Sequence, residues 1–292
     1  MYEILDRHYM EMKKRPVIIF LVICFVISFG AAGMFSLLGG EYNSIMGSLF
    51  ASAYMFIPLV SVVITQLIVG ETPFTGCGVS FKFNWWWVVG ILSMLFFSIL
   101  ALPASAVFPG VEMTLENETM TTVVNNLAAQ GLPIGPWGYL LVTLFAGIVS
   151  AATINALFAF GEEVAWRGFL ARCFEDMGFW KKSALVGAIW GVWHAPIILM
   201  GHNYPDHPVA GVFMMTVFCM LLAPLMQFVR DKSKSVVASA MMHGSMNAYA
   251  GLSIALLSGY NDLLCGCCGV AGCAVLLLAD VLLALRMSWK RS

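Results

Sequence analysis

Apolar runs of about twenty residues, parted by short polar stretches, dominate this chain from end to end. Eight can be drawn, at approximately 16–38, 47–69, 85–108, 137–160, 183–200, 209–229, 236–257 and 264–285. A helix needs about 20 apolar residues to cross the hydrocarbon of a bilayer. The pattern therefore predicts an all-α, polytopic integral membrane protein with about eight transmembrane helices. The first run is too long for a cleavable signal peptide, and Glu3, Asp6 and Glu11 precede it. The chain contains no detectable internal repeat and no low-complexity tail.

Composition narrows the function class. Of 292 residues, 60% are hydrophobic and 11% charged, with a mean hydropathy of +0.87. No polar stretch is long enough to bury a separate soluble core, so residues 1–292 read as one membrane domain. The net charge of −1 gives no basic face for phosphate, which argues against nucleic acid as a partner. The bilayer itself is the partner to expect.

Sorting the charges by the loops between runs gives the orientation. All fifteen Lys and Arg residues fall on one side, from Arg7, Lys13, Lys14 and Arg15 through Lys82, Arg167, Arg172, Lys181, Lys182, Arg230, Lys232 and Lys234 to Arg286, Lys290 and Arg291. The other side receives Glu41, Glu112, Glu116, Glu118, Asp206 and Asp262 and no basic residue. The positive-inside rule then places both termini in the cytoplasm. Trp85, Trp86 and Trp87 are expected at a membrane interface, and the sequon at Asn117 falls on the outer side. Eight cysteines lie mostly in apolar runs, and the cluster from Cys265 to Cys273 reads as a small-residue helix-packing face.

Against this background a few polar residues stand out, because an ionisable group inside a bilayer costs several kcal/mol. Glu162 and Glu163 end the fourth run, His194 lies in the fifth, His243 and Asn247 in the seventh and Asp280 in the eighth. Glu163 and Arg167 are four apart on one helix face, suited to an ion pair, which leaves Glu162 about 100° round the helix. His243 and Asn247 share a face by the same spacing, as do Trp190 and His194, with Pro196 breaking the helix just beyond. Singly, each His fits an interhelical hydrogen bond and the Glu–Arg pair a structural clamp; Asp280 has no partner in its run. Together they hold the parts of a hydrolytic site. A carboxylate can take a proton from water and return it to a leaving amine, and His and Asn can donate to an oxyanion, worth about 3–4 kcal/mol per donor. A proton-coupled transporter would use similar groups, but would show broken helices in paired repeats.

Three segments, EEVAWR at 162–167, WGVWH at 190–194 and HGSMN at 243–247, resemble in order the EExxxR, FxxxH and HxxxN motifs of the CAAX protease and bacteriocin-processing family, also called Abi, with its CAAX prenyl protease 2 group. The resemblance covers residues 137–257 as a catalytic core. It implies an intramembrane endopeptidase whose cavity opens to the cytoplasmic side. Glu162 and His194 would activate water, His243 and Asn247 would form the oxyanion hole, and Glu163 and Arg167 would support them. Trp190 stands where the pattern has Phe. Members are often labelled metalloproteases, so zinc on Glu162, His194 and His243 is an option, but without an HExxH segment a metal-free mechanism is favoured. The resemblance makes a peptide or lipidated protein the further partner to expect; prenylated CaaX proteins and bacteriocin maturation are both precedents for the substrate. A non-proteolytic scaffold or immunity protein of the same fold is the alternative.

Overall fold

The computed structural model describes residues 2–289, with side chains from Lys14 onward. The side chains of Glu3, Asp6, Arg7, Glu11 and Lys13, and Lys290 and Arg291 entirely, lie outside the described residues. The chain is helical almost throughout. Its elements are α1 (Tyr2–Leu37), α2 (Ile45–Tyr54), α3 (Ile57–Ile68), α4 (Trp85–Ser105), β1 (Glu112–Met113), α5 (Glu118–Ala129), α6 (Pro136–Ala152) and α7 (Ile154–Glu163). A π-helix (Val164–Leu170) follows, then α8 (Ala171–Cys173), α9 (Phe179–Trp193), α10 (Ala195–Leu199), α11 (Pro208–Ser233), α12 (Val236–Tyr249), α13 (Leu252–Ala255), β2 (Leu257–Ser258) and α14 (Val270–Trp289). The strands form one short antiparallel pair, Glu112 opposite Ser258.

Among the described residues five segments are long and apolar enough to cross a membrane: 14–37, 45–68, 85–105, 208–233 and 270–289. A sixth is counted if the pair 136–152 and 154–173, bent by 45°, is one span. Large apolar side chains such as Ile18, Phe96, Phe145, Phe213 and Leu282 face outward on them, as lipid-facing surface requires. The other two expected runs, 183–200 and 236–257, contain shorter helices. α9 has 15 residues and ends at Trp193, before Pro196; α12 has 14 and ends before Gly251. At 1.5 Å per residue each falls short of the roughly 30 Å hydrocarbon thickness. Both are packed among their neighbours, α12 against α4, α6 and α7, and α9 against α11. Helices sheltered in this way can carry polar side chains that a lipid-exposed span could not.

Close approach of α7 and α12 depends on Gly244, where an added Cβ would lie 2.7 Å from the Ala156 backbone nitrogen. With no hydrophobic drive between helices in lipid, such small-residue contacts supply the packing.

Three expectations change. The Cys265–Cys273 cluster is not a helix face: α14 begins only at Val270, and residues 265–269 form a tight loop turned by Gly266 at φ +77°. All eight cysteines are free thiols. Asn117 is a buried helix cap, accepting from the Met120 N–H at 2.8 Å while its amide donates to the carbonyls of Thr114 and Ala255, so the sequon amide is already engaged. Of the three tryptophans, Trp85 is exposed, whereas Trp87 is buried, because α4 turns that face onto α12.

Candidate active site

The first motif is built around a widened helical turn. α7 ends at Glu163 and continues into the π-helix, all seven residues of which are buried. π-turns of this kind are concentrated at functional sites. The adjacent carboxylates diverge here. Glu163 Oε1 accepts from Arg167 Nη1 at 2.8 Å and from His243 Nδ1 at 3.0 Å. Glu162 Oε2 accepts from two indoles, Trp190 Nε1 at 2.7 Å and Trp166 Nε1 at 3.2 Å. Its other oxygen has no hydrogen-bond partner among the described residues. Arg167 completes the enclosure, its guanidinium lying 4.3 Å from the Trp190 ring centroid, a cation–π distance.

The second and third motifs enter from α9 and α12. His194 occupies the break between α9 and α10, the latter a new short helix that begins at Ala195 with Pro196 in its first turn. Its Nδ1 lies 2.9 Å from the Trp190 carbonyl. A carbonyl only accepts, so Nδ1 carries the proton and neutral His194 presents Nε2 as an acceptor. The same reasoning applies to His243, whose Nδ1 must donate to the Glu163 carboxylate. Its Nε2 is then a lone pair in the neutral ring and a donor only in the imidazolium.

Glu162, Trp190, His194, His243 and Asn247 all line one cavity of about 190 Å³. Asn247, one turn beyond His243, is exposed and makes no hydrogen bond among the described residues. The motif residues, spread over 86 positions from Glu162 to Asn247, are thus brought together, with Glu163 and Arg167 directly behind them. Asp280 stays apart on α14, buried, with Oδ1 lacking a hydrogen-bond partner among the described residues. Among the described residues no three His, Cys, Asp or Glu side chains converge as a metal site.

The structure adds residues that the motifs did not name. Trp166 is the second donor to Glu162; it lies four positions on, the same spacing that pairs Glu163 with Arg167, and could have been read that way. His202 and Tyr42 also line the cavity. Tyr42 Oη and His202 Nδ1 are 2.8 Å apart, and the His202 ring lies parallel to His194 at 6.4 Å, tilted by 6°. Burial holds the His202 imidazole down, to about 4. These two residues sit on separate loops, and no local pattern links them.

Residues 136–249 match the family model described as type II CAAX prenyl endopeptidase, Rce1-like. No curated protein matches the chain.

Proposed function

Because residues 136–249 match the model of the Rce1-like type II CAAX prenyl endopeptidases, we propose that the protein cleaves membrane-associated polypeptides with a water molecule activated by Glu162. The observation carrying this reading is the division of labour between the two carboxylates. Glu163 is committed to Arg167 and His243. Glu162 is held through one oxygen by neutral indole donors, which fix its position without cancelling its charge and leave the other oxygen for water.

In the proposed reaction, water is held between Glu162 and Nε2 of His194. It loses a proton to Glu162 as its oxygen bonds to the scissile carbonyl carbon. The oxyanion accepts from Nε2–H of the His243 imidazolium and from the Asn247 amide, interactions that strengthen as charge develops. Protonated Glu162 then gives its proton to the departing amine as the C–N bond breaks, leaving a carboxylic acid, which keeps the second proton of the water, and an amine, with the Glu162 carboxylate returned to its starting state. No step is routed through a metal. Substrates with a prenylated CaaX-type end are the first to try, since that is the specificity in the family's description.

The test is hydrolysis of a fluorogenic farnesylated CaaX peptide by the detergent-purified protein beside Glu162→Gln. Turnover lost in the variant supports the assignment. Equal turnover in both sinks it, and none in either leaves the non-proteolytic alternative.

A further inference from the structure

One polar pair on the cavity wall serves neither the proposed chemistry nor the fold. Tyr42 Oη and His202 Nδ1 are 2.8 Å apart, on loops separated by 160 positions. A simple tie between the loops is the plainest role for such a bond, yet each loop is fastened elsewhere. Ser44 Oγ accepts from the Gly47 N–H at 3.0 Å and donates to the Glu41 carbonyl at 2.6 Å, fixing the turn beside Tyr42. On the second loop Tyr204 Oη donates to the Cys268 carbonyl at 2.8 Å and the Asp206 N–H to Asp262 Oδ2 at 2.9 Å, while His207 Nδ1 lies 2.6 Å from Asp262 Oδ1. The His202 backbone is itself engaged, its N–H donating to the Ile197 carbonyl at 3.1 Å and its carbonyl accepting from the Tyr204 N–H at 2.7 Å. The loop keeps its course without the imidazole.

What the pair does fix is a tautomer. A phenol hydroxyl is a more acidic donor than a neutral imidazole N–H, and an imidazole lone pair is a better acceptor than a phenol oxygen. Tyr42 therefore donates to Nδ1, and the proton of neutral His202 rests on Nε2. Burial lowers the His202 imidazole and so keeps it neutral. Its Nε2 has no hydrogen-bond partner among the described residues. His194 is the opposite case, with Nδ1–H given to the Trp190 carbonyl and Nε2 left to accept. The two rings lie parallel, 6.4 Å between centroids, on the wall of one cavity. One offers a lone pair to water and the other an N–H to an acceptor. Among the described residues no lysine or arginine lines the cavity, and Glu162 does, so an uncharged acceptor suits it better than a carboxylate.

From this arrangement we propose that His202 binds the departing half of the substrate, its Nε2–H donating to a backbone carbonyl of the first or second residue beyond the scissile bond. Each extended residue advances a chain by about 3.3–3.6 Å, so these carbonyls stand about 3.5 and about 7 Å from the scissile one. The spacing of the His194 and His202 rings is of that size. A contact to the main chain tolerates varied side chains and holds the leaving segment in place while Glu162 returns a proton to its amine. The inference rests on the peptidase reading of the same site and adds a residue that positions the substrate there.

Farnesylated CaaX peptides test it when an (E)-alkene replaces the first or the second amide beyond the scissile bond, because the alkene keeps the shape and removes the acceptor. On the all-amide peptide His202→Phe should lower kcat/KM about tenfold, mostly through KM, the loss expected of one hydrogen bond, with the thermal midpoint unchanged. Wild type should lose about tenfold on one of the two alkene peptides, and on that peptide His202→Phe should lie within about twofold of wild type. His202→Gln, which keeps an N–H donor, should recover part of the loss. Tyr42→Phe, which leaves His202 in place and frees its tautomer, should lose about threefold and carries the test if His202→Phe folds poorly. Losses that multiply on both alkene peptides, or a well-folded His202→Phe equal to wild type on the all-amide peptide, overturn the inference. Affinity for the same peptides in a Glu162→Gln background, read by fluorescence anisotropy, needs no turnover and should show the same coupling. A wild-type protein that binds with this coupling and never cleaves counts against the peptidase reading alone; binding without it overturns the contact.

Discussion

The Trp190 indole donates to Oε2 of Glu162 over 2.7 Å, across 28 positions of sequence, at a place where the family pattern has phenylalanine. The aromatic of the second motif here both walls the cavity and orients the carboxylate. Hydrogen bonds to charged groups contribute about 1.5–3 kcal/mol. Trp190→Phe should therefore lower kcat on a farnesylated peptide about tenfold with little change in KM, while Trp190→Leu, which also loses the ring under Arg167, should lose stability as well. A Trp190→Phe enzyme with unchanged kcat would show that Trp166 alone suffices to orient Glu162.

Replacing Glu162 with Gln keeps the shape of the side chain and removes the base. The expected loss in kcat is on the order of 10³-fold, within the usual range for general acid–base catalysis. Wild-type turnover should survive a strong zinc chelator, because the proposed steps use only protein groups; loss of activity on chelation, restored by zinc, would require a different account.

The Glu163–Arg167 pair is 2.8 Å long and at most 1% exposed on either side. Breaking such a pair from one side costs about 3–5 kcal/mol, since a charge is left buried without compensation. Arg167→Met and Glu163→Gln should each lower the thermal midpoint of the detergent-solubilised protein substantially. Glu163→Gln should also depress kcat, because the His243 imidazolium that donates Nε2–H to the oxyanion loses the carboxylate that balances its charge.

A methyl group at Gly244 is expected to be poorly tolerated. Gly244→Ala would force α12 away from α7, costing about 1–3 kcal/mol as overpacking does, and would separate His243 from Glu163. A normal melting temperature with normal activity would show that the helices part without consequence.

The Glu71–Arg172 bridge, 2.7 Å long, ties the loop between α3 and α4 to α8. Partial burial raises the Glu71 carboxyl, but hydrogen bonds from Arg172 and Gln66 outweigh it and hold the group below its ordinary 4.5. A lowered carboxylate contributes stability that is present above the unfolded value and is lost as pH falls through the folded one. The wild-type advantage over Glu71→Gln in thermal midpoint should thus be constant from about pH 7 to 5 and shrink below about 4.5. The pair is part-exposed, so salt should reduce it. An advantage that grows on acidification would contradict the assignment.

Hydrophobic run length predicted an all-helical membrane protein, and i,i+4 spacing placed Glu163 against Arg167 and His243 beside Asn247, because both are local properties of one helix. The lengths of α9 and α12 were less legible: enclosure by other helices lets a segment be short and still reside in the bundle, and enclosure is decided by tertiary packing. The Cys265–Gly269 loop was hidden for a related reason, since an apolar, small-residue run looks the same whether it coils or turns. The Glu163–His243 contact, 80 positions apart, and the Tyr42–His202 contact, 160 apart, leave no trace in local spacing.

The ion pair within the first motif has a consequence for how the protein is made. Glu163 and Arg167 are partners on one helical segment, so this stretch can neutralise them as it enters the bilayer, before α12 has followed it. Glu162 has Trp166 available on the same segment, while Trp190 and His243 arrive later with α9 and α12. Assembly can then proceed in the order of synthesis, with a half-formed site that is already tolerable in lipid and becomes competent only when the last helix of the matched region docks.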